Sequence, residues 1–105
     1  MQAVIVGSDP EELSAALEAH GAQTTRAAGT ATRDALRDAG IEEADLLVVT
    51  DVGLATAIPL ARELNPDVRV VVYAHETVPE FARASAGLIV DPDLMDADTV
   101  ADELV

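Results

Sequence analysis

Short runs of aliphatic and β-branched residues alternate along this chain with stretches in which apolar positions recur every three or four residues. That alternation predicts short buried strands, each followed by an amphipathic helix. Ala3-Val4-Ile5-Val6 reads as the first strand. Asp9 then supplies an N-cap, Pro10 a first-turn proline and Glu12 the acidic member of a capping box. The helix so started turns Leu13, Ala16 and Leu17 inward and stops at Gly21. From about Ala22 to Ala27 a strand is expected whose polar Gln23-Thr24-Thr25-Arg26 segment suits a sheet margin.

A second helix is expected from about Ala31 to Ala39, ending at Gly40. Leu46-Leu47-Val48-Val49 is apolar throughout, as a strand covered on both faces must be, and so marks the sheet centre. Leu54, Ala57, Ile58, Ala61 and Leu64 form the stripe of a third helix that Asn65-Pro66 ends, and Pro59 inside it should kink or delay the helix. Val70-Val71-Val72-Tyr73 is the fourth strand, and Thr77 three residues before Glu80 has the spacing of another capping box. Leu88-Ile89-Val90 is the fifth strand, and Ala97, Val100, Ala101 and Leu104 fall on one face of a final helix. Five strands and five helices in alternation, joined by right-handed crossovers, give one domain over residues 1–105. The expected fold is a three-layer, doubly wound α/β domain, Rossmann/flavodoxin-like, with a five-stranded parallel sheet in the order 2-1-3-4-5.

Composition narrows the function. The chain has 105 residues, no Cys, and 6 Arg without a single Lys against 20 Asp and Glu, for a net charge of −14. One core is all this length supports, which excludes a multidomain enzyme. The excess of carboxylates repels phosphate backbones and anionic lipid, so neither nucleic acid nor membrane surface is an expected partner. The longest apolar run is Val70 to Ala74, too short for a membrane span or a signal-peptide core, and a cytoplasmic location is expected. The acidic, lysine-free surface suits a cytoplasm of molar salt, where self-repulsion is screened over about 3 Å, so a halophilic source is expected. With Tyr73 and Phe81 the only aromatics, the core must be built from small aliphatic side chains.

In such sheets ligands bind outside the carboxyl ends of the strands, at the switch point between strands one and three. The candidate residues are Gly7, Ser8 and Asp9 after strand one, Thr50 and Asp51 after strand three, and His75 after strand four. No metal ligands are assigned: the Asp91, Asp93, Asp96, Asp98, Asp102 and Glu103 series lacks the glycine and spacing of a calcium loop and is expected to be a solvated face. His20, before Gly21, is expected to interact with the end of its helix. No nucleophile–base pair or phosphate-cradling glycine loop is evident, so no catalytic residues are expected.

The phrase Ala39-Gly40-Ile41-Glu42-Glu43-Ala44-Asp45, the Thr50-Asp51 strand end and Ala61-Arg62-Glu63-Leu64-Asn65-Pro66 resemble the N-terminal domain of the TrkA/RCK regulators of potassium transport. Pro79-Glu80, Ala86-Gly87 and Asp91-Pro92 extend the resemblance, which covers roughly residues 29 to 92. It implies a non-catalytic, ligand-sensing domain that binds NAD or another adenine nucleotide, partners a potassium channel or transporter subunit, and forms a homodimer. The chain departs from that family at the glycine fingerprint: Gly7 is kept, but Asp9 and Glu12 stand at the second and third glycine places, and Arg26-Ala27-Ala28 replaces the ribose-gripping acid. Standard dinucleotide binding is therefore expected to be lost. Two alternatives come from other classes. Asp9 and Asp51 match the acidic positions of a receiver-like phosphoacceptor, although Ala74 lacks the hydroxyl and Asp91-Pro92 replaces the lysine of that pattern. The other is a ligand-free protein-interaction domain, with Asp9 and Asp51 serving only as helix caps.

Overall fold

The computed structural model describes all of residues 1–105. Its strands are β1 (Gln2–Val6), β2 (Gln23–Arg26), β3 (Leu46–Val49), β4 (Arg69–Tyr73) and β5 (Leu88–Val90), and its helices are α1 (Leu13–Ala19), α2 (Arg33–Asp38), α3 (Ala57–Leu64), α4 (Glu80–Arg83) and α5 (Ala97–Leu104). Two single 3-10 turns, Ile41–Glu43 and Val52–Leu54, flank β3. All five strands are parallel, in the order β2-β1-β3-β4-β5. The expected topology is thus the observed one.

Alternate residues of each strand face opposite layers, which splits the core in two. Val4, Val6, Leu47, Val49, Val70 and Val72 face α2, α3 and α4, meeting Leu36, Ile58, Ala61 and Ala82. Ala3, Ile5, Leu46, Val48, Val71 and Tyr73 face α1 and α5, meeting Leu13, Leu17, Val100, Ala101 and Leu104. Of the two aromatics only Tyr73 goes inside; Phe81 is 55% exposed, so the core is more strictly aliphatic than its composition required. The sheet margins differ: β2 is polar, as expected, whereas β5 leaves Leu88 and Ile89 exposed.

Several helix starts are later than the sequence implies, each for a local reason. Asp9 to Glu12 closes a turn, with the Glu12 amide donating to the Asp9 carbonyl at 3.0 Å, and Glu12 is left-handed at φ 56°, so α1 begins at Leu13 instead of Pro10. In α2, Ala31 is left-handed and Thr32 caps instead, accepting the Ala35 amide at 3.3 Å. Thr77 caps nothing: Pro79 keeps Val78 out of the helical region, and the four-residue α4 starts at Glu80 with no side-chain cap. Pro59 does not interrupt α3, which runs through it from Ala57 to Leu64. As its third residue, Pro59 sits where the backbone has no intrahelical acceptor to lose.

Asp96 caps α5 by accepting the Thr99 amide at 2.8 Å, and the Thr99 hydroxyl and amide hold its carboxyl below the ordinary value of 3.8. A lowered folded-state pKa contributes stability that is present above the unfolded value and is lost as pH falls through the folded one. Asp96→Asn, which keeps a capping oxygen, should therefore lie closest to the wild type in strong acid. Urea midpoints from neutral pH to below 3.8 should converge, and a gap that stays constant would refute the charge contribution.

Candidate functional site

Four loops meet at the carboxyl end of the sheet: the β1–α1 loop with Gly7, Ser8 and Asp9, the β3 exit with Thr50 and Asp51, the β4 exit with His75, and the β5 exit with Asp91. Their assembly begins with Gly7, whose φ of 101° and absent side chain let the first loop lie against the third strand's exit. A Cβ on Gly7 would stand 2.8 Å from the Asp51 Cβ and 2.9 Å from the Thr50 Oγ1. Thr50 is the one buried polar residue, and its hydroxyl faces the carbonyl oxygens of Val6, at 3.2 Å, and of Ser8. Gly7, Ser8, Thr50 and Asp51 are therefore brought together as expected, but Thr50 is occupied in tying two loops to each other.

Asp9 does not face the site. Its Oδ1 accepts the Leu13 amide at 3.0 Å and its Oδ2 the Ser14 amide at 2.8 Å, so both oxygens cap α1. The cap reaches across the Asp9–Glu12 turn instead of sitting at the helix boundary, where Glu12 makes no side-chain bond. Asp51 is half-committed: its Oδ1 accepts the Gly53 amide at 2.9 Å and starts the 3-10 turn before α3.

Two clefts flank this junction. One, of about 190 Å³, is lined by Ser8, Glu11, Thr50, Asp51, His75 and Glu76 among others. The second, of about 560 Å³ and widely open, lies between the β1 and β2 ends, where Gly7, Ser8 and Asp51 face Arg26 and the Ala27-Ala28-Gly29 segment. At the start of α1 the Leu13 and Ser14 amides, which a phosphate at the helix end would use, are already held by Asp9. A third cleft, of about 430 Å³, opens between β4 and β5 beside Arg62 and Arg69, but both arginines donate to backbone carbonyls, Arg62 to Ser85 and Val68 and Arg69 to Leu104.

His75 is the centre of the local electrostatics. Its Nε2 is 3.3 Å from Glu11 Oε1, and its Nδ1 is 3.4 Å from Asp91 Oδ1 and 3.3 Å from Asp93 Oδ2. Hydrogen bonding to Glu11 raises its pKa above 6.5, desolvation opposes this, and the Asp93, Asp91 and Glu11 charges add to the rise. Below His75 the buried Tyr73 hydroxyl donates to the Met95 carbonyl at 2.7 Å; burial first, then the charges of Glu11, Asp96 and Asp9, raises its pKa above 10.0. The sequence places Asp91 and Asp93 on an expected solvated face and does not single out Glu11, since nothing in their spacing links the three to His75. His20 differs as well: it bridges from α1 to α5, its Nε2 lying 3.0 Å from Asp98 and its Nδ1 3.9 Å from Asp102.

Fold and site define a flavodoxin-like α/β domain whose carboxyl-end loops are tied by internal hydrogen bonds and lined by carboxylates. Residues 3–104 match a family of unknown function, DUF7126, and the chain belongs to that family. No curated protein matches the sequence. Among solved structures, an atypical orphan response regulator with a phosphorylation-independent regulatory mechanism aligns over 99% of this chain and 92% of its own, at 16% identity and TM-score 0.72. A pilus assembly protein (cpaE) of Burkholderia thailandensis E264 aligns over 99% and 94%, at 17% identity and TM-score 0.69. The TrkA-N domain of the inner membrane protein ybaL of Escherichia coli aligns over 99% and 96%, at 20% identity and TM-score 0.59. At these identities the shared property is the fold. Both regulator types weighed from the sequence have it. No helix is long and apolar enough to cross a membrane.

Proposed function

We propose that this chain is a non-catalytic regulatory domain that works without a bound dinucleotide and without a transferable phosphoryl group. The observation that carries the proposal is Asp9, whose carboxylate takes the Leu13 and Ser14 amides that a nucleotide phosphate would need. An incoming phosphate would have to displace one anion from α1 and settle beside Asp51 and Glu11. The receiver-type alternative meets the same difficulty, because Asp91 puts a negative charge where a phosphoacceptor needs a positive one. Both histidines face carboxylates instead of hydroxyls, which argues against a serine or threonine nucleophile activated by imidazole. The likeness to an orphan response regulator described as phosphorylation-independent supports a regulatory role for a fold of this kind without phosphoryl transfer.

In its finer form the proposal takes up the likeness to a TrkA-N domain: a homodimeric cytoplasmic regulator of a potassium channel or transporter subunit in a salt-rich cell. Calorimetry with NAD, NADH, ATP, ADP and AMP in multimolar KCl should show no saturable heat below the millimolar range, and intact mass after acetyl phosphate treatment should show no phosphoryl adduct. Micromolar binding of any of these nucleotides, or a stable adduct on Asp51, would refute the proposal.

A further inference from the structure

The pairing of β4 with β5 sets Tyr73 beside Val90, so the residues leaving the two strands, His75 and Asp91, become neighbours although 16 positions separate them. Asp93 folds back over the same point, because Asp91 Oδ1 accepts the Asp93 amide at 2.9 Å across Pro92. His75 Nδ1, Asp91 Oδ1 and Asp93 Oδ2 consequently lie within 4.8 Å of one another. On the far side of the ring, Nε2 faces Glu11 Oε1 at 3.3 Å. We infer that His75, Asp91 and Asp93 form a binding site for one divalent transition cation of the Zn²⁺ type, with Glu11 orienting the imidazole from outside the coordination sphere.

Three features lead there. A neutral imidazole has a single N–H, and when Glu11 accepts it from Nε2, the Nδ1 lone pair is left with two carboxylate oxygens 3.4 and 3.3 Å away. Such a convergence of electron pairs is stabilised only by a positive occupant, either a proton or a metal ion. Distances admit the metal: donors about 2.0–2.1 Å from a tetrahedral Zn²⁺ stand about 3.3–3.4 Å apart. The two nitrogen–oxygen separations here are 3.4 and 3.3 Å. Glu11 completes the pattern in which a metal-bound histidine donates its other N–H to a carboxylate, fixing tautomer and ring orientation. One nitrogen and two carboxylate oxygens suit Zn²⁺, Co²⁺ or Ni²⁺ better than Ca²⁺, which gathers six to eight oxygens. Asp93 is 78% and His75 50% exposed at the side chain, so the coordination sphere has an open side for water and for entry.

His75 and Glu11 also border the cleft beside Thr50 and Asp51, and Asp91 stands at the lysine place of the phosphoacceptor pattern, but metal binding is read without nucleotide or acetyl phosphate, so its failure and the failure of the proposed function are distinguishable. Metal-free full-length chain in multimolar KCl, which screens diffuse attraction to the acidic surface, is titrated with Co²⁺ and followed by visible absorption. We expect a saturable one-to-one signal of low coordination number that Zn²⁺ displaces. His75→Ala and Asp93→Asn should each weaken it at least about tenfold, Glu11→Gln about tenfold with unchanged stoichiometry, and Asp67→Asn, on another exposed acidic loop, not at all. Asp93 is exposed, so Asp93→Asn leaves the fold intact, and far-UV circular dichroism checks this for every variant. Absence of saturable binding, or Co²⁺ binding equal in the wild type, His75→Ala and Asp93→Asn, would overturn the site and leave a proton as its occupant.

Discussion

Gly7→Ala should destabilise the domain by about 2–4 kcal/mol, a left-handed penalty and an overpacking penalty acting together. At φ 101° an L side chain is strained wherever it stands, and here the new methyl would also press on Asp51 Cβ and Thr50 Oγ1. The two effects separate experimentally. Gly21 has nearly the same φ, 98°, but nothing within 4 Å of its would-be Cβ, so Gly21→Ala should carry the conformational cost alone, about 1–2 kcal/mol. Urea denaturation of both variants measures the difference. If Gly7→Ala were no worse than Gly21→Ala, the close contact between the first and third loops would not be a constraint on the fold.

Leu47→Ala should cost about 2–5 kcal/mol, a large part of the roughly 5–15 kcal/mol available to a domain of this size. Leu47 is fully buried in the central strand and packs into the layer under α2 and α3, while its neighbour Leu46 serves the opposite layer. With no large aromatic on the Leu47 side to swing into the gap, the cavity should persist. The shift of the urea midpoint gives the size of the effect, and a loss below about 1 kcal/mol would mean that the aliphatic core repacks freely.

Strand positions were legible because aliphatic runs such as Leu46–Val49 and Leu88–Val90 have one sensible use in a chain with helical spacing between them. Helix starts were less legible. The capping pattern of Asp9 and Glu12 is real in composition, yet the turn it makes places Glu12 in a left-handed conformation, a choice the sequence leaves open. The site was legible only in part: Gly7, Ser8, Thr50 and Asp51 converge because they follow adjacent strands, a matter of topology. The His75 cluster depends instead on where Glu11 and Asp93 fold back, which no periodicity encodes.

The residues that carry the resemblance to potassium-transport regulators lie mostly at the opposite, amino end of the sheet. There Asn65 donates to the Ile41 and Ala44 carbonyls at 3.0 and 2.9 Å and accepts the Asp67 amide at 3.1 Å, Asp45 accepts the Gln2 amide at 2.9 Å, and Arg62 binds the Ser85 and Val68 carbonyls. These are scaffold contacts, and they explain why the resemblance transfers a fold more securely than a ligand.

Asn65 has a further consequence. One amide side chain joins the turn before β3, the end of α3 and the approach to β4, so none of the three can open without breaking bonds held by the others. The Ile41–Ala44 turn, the end of α3 and the Asp67 turn should therefore loosen together in local unfolding, so the amino end of the sheet is fastened by bonds in which the loops at its carboxyl end take no part.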